Sequence, residues 1–305
     1  MSHSTEFEVQ FWGVRGSIAT PGLSTVRYGG NTSCVEIRAG GKRLIFDGGT
    51  GLRALGQHLL KETPIEGHLF FSHSHWDHIQ GFPFFRPAFV AANRFHIYGG
   101  VAPNGATMKQ RLSDQMLHPN FPVPMQIMQA DLQFHDVAAE QILDLGNGVT
   151  IEIASLNHPN TALGYRVNWN GYSAVYATDT EHYPDRLDDN LLHLCRNADV
   201  LIYDACYTDE EYHDEKYSKR GWGHSTWQEA LRLAQAANVK CPVMFHHDPD
   251  HSDDFLAKVE QDVQAIYPSA CLAREGMVIP VCSTPISSIT GATTAIAPQS
   301  SPVLA

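Results

Sequence analysis

The chain has 305 residues, 43% of them hydrophobic and 18% charged, proportions of a soluble globular protein with room for one large domain or two small ones. A formal net charge of -12 argues against a broad electrostatic grip on nucleic acid, which needs a basic surface. The six cysteines form no C-x-x-C pair, which excludes a zinc ribbon or a disulfide framework; with no leader-like N-terminus and no apolar run of membrane-spanning length, a reduced, cytoplasmic protein is expected.

Taken in chain order, Glu6 to Trp12 alternates polar and apolar residues and predicts a half-buried strand. Gly13 to Gly30 is punctuated by glycine and proline and reads as a long loop. Cys34–Arg38 and Lys42–Phe46 flank Ala39-Gly40-Gly41, a hairpin signal. After Asp47-Gly48-Gly49, the leucines at 52, 55, 59 and 60 recur with helical spacing. An apolar run at 68–72 then leads into His73-Ser74-His75-Trp76-Asp77-His78. Thr107 to Leu117 predicts an amphipathic helix, stopped by Pro119, Pro122 and Pro124. Strands are predicted at 149–153, 164–169, 173–177, 200–203 and 243–245, and helices at 225–237 and 253–267. The last stretch is uncharged and poor in pattern, so one domain is expected over residues 1–283 and a flexible tail over 284–305.

The run His73 to His78 carries the chemistry. It sets four metal-competent side chains within six residues at a strand end. Imidazole and carboxylate suit zinc, and also manganese or iron. Four ligands exceed what one open catalytic zinc needs, so two divalent metal ions sharing a site are expected, zinc favoured. Other predicted strands also end in such residues: Phe46 in Asp47, the 150s strand in His158, Ala177-Thr178 in Asp179, Tyr203 in Asp204, and Phe245 in His246 and His247. A sheet that gathers polar residues at one edge builds a site there.

This pattern resembles the metallo-β-lactamase superfamily over nearly all of Phe7 to Ile279. The resemblance implies an α+β fold, a four-layer αββα sandwich with metals at one edge of the two sheets. It implies one metal on His73, His75 and His158, a second on Asp77, His78 and His246, and Asp179 bridging them. The neighbouring His247 stays open as an alternative last ligand. Asp47 is either the acceptor that orients a ligand histidine or a residue capping the turn at Gly48-Gly49.

Gly223-His224-Ser225-Thr226, with Asp204 upstream, is similar to ribonuclease Z and related phosphodiesterases. There an acidic residue orients a histidine that serves as proton donor. The resemblance thus implies a phosphodiesterase in which metal-bound hydroxide attacks phosphorus, Asp77 and Asp204 belong to the catalytic set, and His224 protonates the leaving group. Asn31 and Thr32 lie in a segment resembling the entrance loop of small-molecule phosphodiesterases, and Lys219 and Arg220 are candidate phosphate contacts. Small substrates such as cyclic nucleotides suit the acidic surface better than tRNA. The apolar run Phe121 to Met128 is expected as a pocket lid or a homodimer contact. His58, His96, His118 and His193 show no companions. The competing functions are ribonuclease Z-like RNA cleavage, glyoxalase II-like thioester hydrolysis, and a di-iron redox or non-catalytic nucleotide-binding role.

Overall fold

Alternation in the first strand, β1 (Glu8–Gly13), sends Val9 and Phe11 inward, where both are fully buried. In the computed structural model, which describes residues 7–281, β1 pairs antiparallel with β2 (Cys34–Ala39), and β2 with β3 (Lys42–Phe46). The β2–β3 turn uses Gly40 and Gly41 at φ of 57° and 76°, the left-handed pair that a two-residue hairpin requires. Helix α1 (Gly51–Leu59) returns the chain to β4 (Glu66–Phe71). There β4, β5 (Arg94–Gly100) and β6 (Asp131–Val137) add in parallel, with helices α2 (Trp76–Ile79) and α3 (Met108–Asp114) between them.

The second sheet opens with an antiparallel meander, β7 (Ile142–Asp144), β8 (Thr150–Leu156), β9 (Ala162–Trp169) and β10 (Tyr172–Ala177). It continues in parallel through β11 (Val200–Asp204), β12 (Cys241–Phe245) and β13 (Cys271–Leu272), joined by helices α4 (Asp189–Cys195), α5 (Asp209–Tyr212), α6 (Trp227–Ala236) and α7 (Asp253–Ile266). The final strand, β14 (Val278–Pro280), rejoins the first sheet beside β1.

Three apolar clusters make this a four-layer αββα sandwich. Phe11, Phe46, Phe70, Tyr165, Tyr176 and Phe245 interdigitate between the sheets; fully burying one such side chain contributes about 1.5–3 kcal/mol. Outside the first sheet, Leu52 and Leu55 of α1 pack with Met108 and Leu112 of α3, and α4, α6 and α7 cover the second sheet. Because β3 and β4 run parallel, as do β10, β11 and β12, their C-terminal ends collect on shared edges. Strand β8, two antiparallel steps from β10, ends in the same direction. This topology, rather than any single element, assembles the site.

Strands β5 and β6 alternate Phe95, Ile97, Leu132 and Phe134, packed in the outer cluster, with His96, Gln133 and His135 on the opposite face. His96 therefore has companions, contrary to expectation. It stacks on His68 with ring centroids 4.9 Å apart, and its Nδ1 lies 3.3 Å from Nε2 of His135. Burial, then the neighbouring His96, Lys42 and His135, pull the His68 imidazole down to about 4. An unfolded chain binds that proton from about pH 6.5, so stability falls as pH drops from there towards 4, with a slope approaching about 1.4 kcal/mol per pH unit. Thermal melts between pH 7 and 5 should show this loss, and His68→Phe should flatten it; an unchanged slope would exclude His68 as its source.

Phe121 to Met128 does not line either cavity beside the site. Met125 and Met128 are buried in the outer cluster and Phe121 packs on Phe84, so the run fills its own helical layer instead of forming a lid. No described helix is long and apolar enough to cross a membrane. The tail expected at 284–305 lies outside the described residues.

Candidate metal centre

Six strand ends deliver the site: β3 leads to Asp47, β4 to His73–His78, β8 to His158, β10 to Asp179, β11 to Asp204 and β12 to His246. Asp47, Asp179 and His246 leave their strands at φ of 59°, 56° and 63°, a left-handed turn that Asp and His tolerate better than most residues.

Potential ligand atoms of His73, His75, His158 and Asp179 all lie within 4.8 Å of one another. Nε2 of His158 is 3.1 Å from Nδ1 of His75, and Nε2 of both His73 and His158 stand 3.6 Å from Oδ2 of Asp179. A second cluster joins Asp77, His78 and His246. Their closest atoms are Oδ2 of Asp77 and the two Nε2 nitrogens, 3.1–3.3 Å apart. The other oxygen of Asp179, Oδ1, is 3.2 Å from Nε2 of both His78 and His246. Asp179 thus presents one oxygen to each cluster.

The charge balance favours cations. Asp47, Asp77, Asp179 and Asp204 are buried, and every ion pair they make is to histidine. Buried charges need a partner or a metal. Burial opposes ionisation of Asp77 and Asp179, but the surrounding His78 and His246 hold both carboxyls well below their usual range. Burial likewise opposes protonation of His78, yet Asp179, Asp77 and Asp47 push it well above an ordinary imidazole. Burial and His78 drive His73 well below it, and its Nε2 is a buried nitrogen without a hydrogen-bond partner. Paired nitrogens, a carboxylate facing two clusters and an orphaned donor atom fit divalent ions of the zinc, manganese or iron type.

Around these groups the orientation is fixed by hydrogen bonds. Asp47 accepts from Nδ1 of His78 at 2.8 Å, from Ser72 N–H and O–H at 2.7 Å, and from the Tyr176 hydroxyl at 2.8 Å. That leaves Nε2 of His78 facing the cluster. Nδ1 of His158 donates to the Gly223 carbonyl at 2.8 Å. Gly223 sits at φ 85°, and a Cβ there would lie 2.3 Å from that same nitrogen. Glu181 accepts from Gly221 N–H at 2.7 Å, Gly223 N–H at 2.9 Å and the Tyr212 hydroxyl at 2.5 Å, so one carboxylate holds the loop that carries His224.

His224 donates from Nδ1 to Asp204 at 2.8 Å; its ring stacks on that of His246 with centroids 4.9 Å apart and lies tilted against that of His158 at 5.3 Å. Asp204 is itself fixed by the N–H groups of Thr180, Cys206 and Ser225. Burial lowers the His224 imidazole, but Asp204 outweighs it and raises it to about 9.

His246 and His247 face different surroundings. His246 faces Asp77 and His78, whereas Nε2 of His247 is bound to the Ala273 carbonyl at 2.9 Å. Burial above all depresses His247 to about 3, as befits a neutral core residue.

Two substrate candidates do not face the site as expected. Thr32 is buried, its hydroxyl accepting from Thr50 N–H at 2.8 Å, and Asn31 gives its amide to Glu275 at 2.9 Å. Both are latches of the long loop. Lys219 lies over Tyr207 and Trp222, beside His224, while Arg220 is exposed to solvent. The loop from Gly13 contributes what sequence reading missed. Ser17 N–H donates to Asp77 at 2.8 Å, and Gly16 presses on His246 so closely that a Cβ would lie 2.4 Å from its ring. Glycine in that loop was the visible signal; its target on a histidine some 230 residues away was not.

Comparison with known proteins agrees with this geometry. The family model described as a β-lactamase superfamily domain matches residues 28–247. The ribonuclease Z of Pyrococcus horikoshii is 23% identical over 323 residues, covering 88% of this chain and 94% of that protein. The ribonuclease Z of Azobacteroides pseudotrichonymphae is 31% identical over 108 residues, 35% of this chain and only 33% of that relative's length. The crystal structure of the metallo-β-lactamase fold protein YhfI from Bacillus subtilis superposes with a TM-score of 0.65 at 20% identity, covering 90% of this chain and 99% of that one. A family model spanning most of the chain, with a fold shared with that structure over 90% of its length, makes this protein a member of the β-lactamase superfamily.

Proposed function

We propose that the protein is a dinuclear phosphodiesterase acting on small or cyclic nucleotides. His73, His75 and His158 would hold one metal, Asp77, His78 and His246 the other, with Asp179 between them. Bound there, the two ions supply an acidified water and neutralise charge on the phosphoryl oxygens. The observation that carries the phosphodiester reading is the His224–Asp204 pair, 2.8 Å apart and stacked against His246.

Each residue then has a task. The carboxylate of Asp204 accepts a hydrogen bond from Nδ1–H of the His224 imidazolium, which commits that nitrogen and leaves the Nε2 proton for transfer. As the bond between phosphorus and the leaving oxygen breaks, that oxygen takes the Nε2 proton and His224 becomes neutral. A departing alkoxide needs this donor, whereas a thiolate does not, so the pair weighs against thioester hydrolysis. Asp47 fixes the His78 ring, and Gly223 and Glu181 fix His158 and the His224 loop.

RNA cleavage is the second reading. It is favoured by the relatives named ribonuclease Z and by exposed Tyr217 and Trp222 interleaved with Lys216, Lys219 and Arg220 beside His224, since aromatic and basic side chains together hold single strands. The acidic chain favours the small substrate. Metal analysis of the purified protein, with turnover of cyclic nucleotides, nitrophenyl phosphodiesters, precursor tRNA and lactoylglutathione, tests both. Nucleotide and nitrophenyl diesters should be hydrolysed fastest. Preference for precursor tRNA would support the second reading, and turnover of lactoylglutathione alone would overturn both.

A further inference from the structure

Beside the first histidine cluster, two adjoining cavities of about 380 Å³ and 310 Å³ share His73, Ala102, Arg111, Asn160 and Thr161 on their walls and form one open groove. The groove reaches His73 and His75, but its lining includes none of Asp77, His78, His224 or His246. It therefore leads away from the proton donor. A substrate whose leaving oxygen met His224 would find this groove open to its remaining half.

Arg111 is the one guanidinium or ammonium on either wall, in a chain of net charge -12. Three of its five N–H groups are committed: Nη1 donates to Ser74 Oγ at 2.8 Å, Nη2 to the Gly100 carbonyl, and Nε to the Thr107 carbonyl at 3.4 Å. One N–H remains on each terminal nitrogen, the fork that receives two oxygens of an oxyanion. The three anchors hold that fork half-buried, so little rotamer freedom is lost when a ligand arrives. Asp136 lines the same groove and acts on the Arg111 charge from a distance, with no ion pair between the two that would close the guanidinium to a ligand. At the opposite rim Asn160 and Thr161 have φ of 64° and 67°. A left-handed β-branched residue is strained, and such strain gathers at ligand sites.

We propose that this groove is a subsite for the half of the substrate that is not expelled, and that Arg111 receives a second phosphoryl group carried on that half. The inference rests on the phosphodiesterase reading, and it makes substrates with two phosphoryl groups preferred over those with one.

The test measures binding by calorimetry to the metal-loaded full chain, using thymidine 5′-phosphate and thymidine 3′,5′-bisphosphate. It also measures turnover of the nitrophenyl ester of the 5′-phosphate with and without a 3′-phosphate. The second phosphate should tighten binding about ten- to a hundredfold and raise kcat/KM in the same sense. Arg111→Met should abolish that advantage, and Arg111→Lys should keep part of it. Ser74→Ala, which removes one of the three anchors and keeps the guanidinium, should retain part of it. Equal affinity of the two thymidine phosphates, an advantage that survives Arg111→Met, or its complete loss in Ser74→Ala would each overturn the subsite. Failure of the phosphodiesterase reading looks different: neither ester turns over while the binding difference persists.

Discussion

Asp77→Ala is expected to leave a folded protein with roughly one tightly held divalent ion per chain in place of two, as a two-metal site predicts. Its kcat/KM on a nitrophenyl phosphodiester should fall by more than the ~100-fold that loss of an outer hydrogen-bond partner costs. The reason is the placement of this carboxylate. Oδ2 of Asp77 faces Nε2 of His78 at 3.1 Å and of His246 at 3.2 Å, and it takes the Ser17 N–H at 2.8 Å. Removing it takes one anion from a cluster of two imidazoles and frees the loop that covers them. Metal content by elemental analysis, with circular dichroism to verify folding, separates the ligand role from general damage. Wild-type turnover with full metal content would sink the dinuclear reading.

His224→Ala should act differently, because it touches no ligand through a hydrogen bond. On a diester with an alkoxide leaving group it should cost about 10²–10⁴-fold in kcat. On nitrophenolate, which leaves without a proton, the loss should be far smaller, and metal content should stay at the wild-type level. A series of leaving groups of graded basicity reads this as a steeper dependence in the variant. Equal losses across the series would remove His224 from the acid role and point to a purely structural one.

Much of this site was legible because its chemistry is concentrated at strand ends. His73 to His78 and the hairpin at Gly40-Gly41 declare themselves locally, and the strands before Asp179, Asp204 and His246 are short apolar runs with little to confuse them. Helices at 225–237 and 253–267 were legible too, each somewhat longer than the observed α6 and α7, since Thr226 and Ser252 cap them by accepting N–H bonds at the first turn. What stayed hidden depends on distance in space. Strands β5 and β6 do alternate, Phe95 and Ile97 with His96, Leu132 and Phe134 with Gln133 and His135, but they flank the glycine- and proline-broken stretch between Gly99 and Pro124, where neither period holds for long. Gly16 and Arg111 read as ordinary loop and helix residues; their meaning comes from His246 and Ser74, which only the folded topology brings beside them. Asn31 and Thr32 misled for the opposite reason: polar residues in a glycine-rich loop look available, and here they are spent on Glu275 and Thr50.

The left-handed turns at Asp47, Asp179 and His246 bear on transplantation. Strained backbone of this kind costs of order 1–3 kcal/mol per residue and persists only where surrounding packing over-determines it. Grafting His73–His78 onto another sheet edge would carry the most recognisable donors but none of those three turns, and the graft would present imidazoles without the carboxylate that faces both clusters. A working transplant would have to import the parallel strand ends β3, β10 and β12 with their reversals intact. The portable unit is therefore the joint edge of two sheets, and the six-residue run is its most visible part.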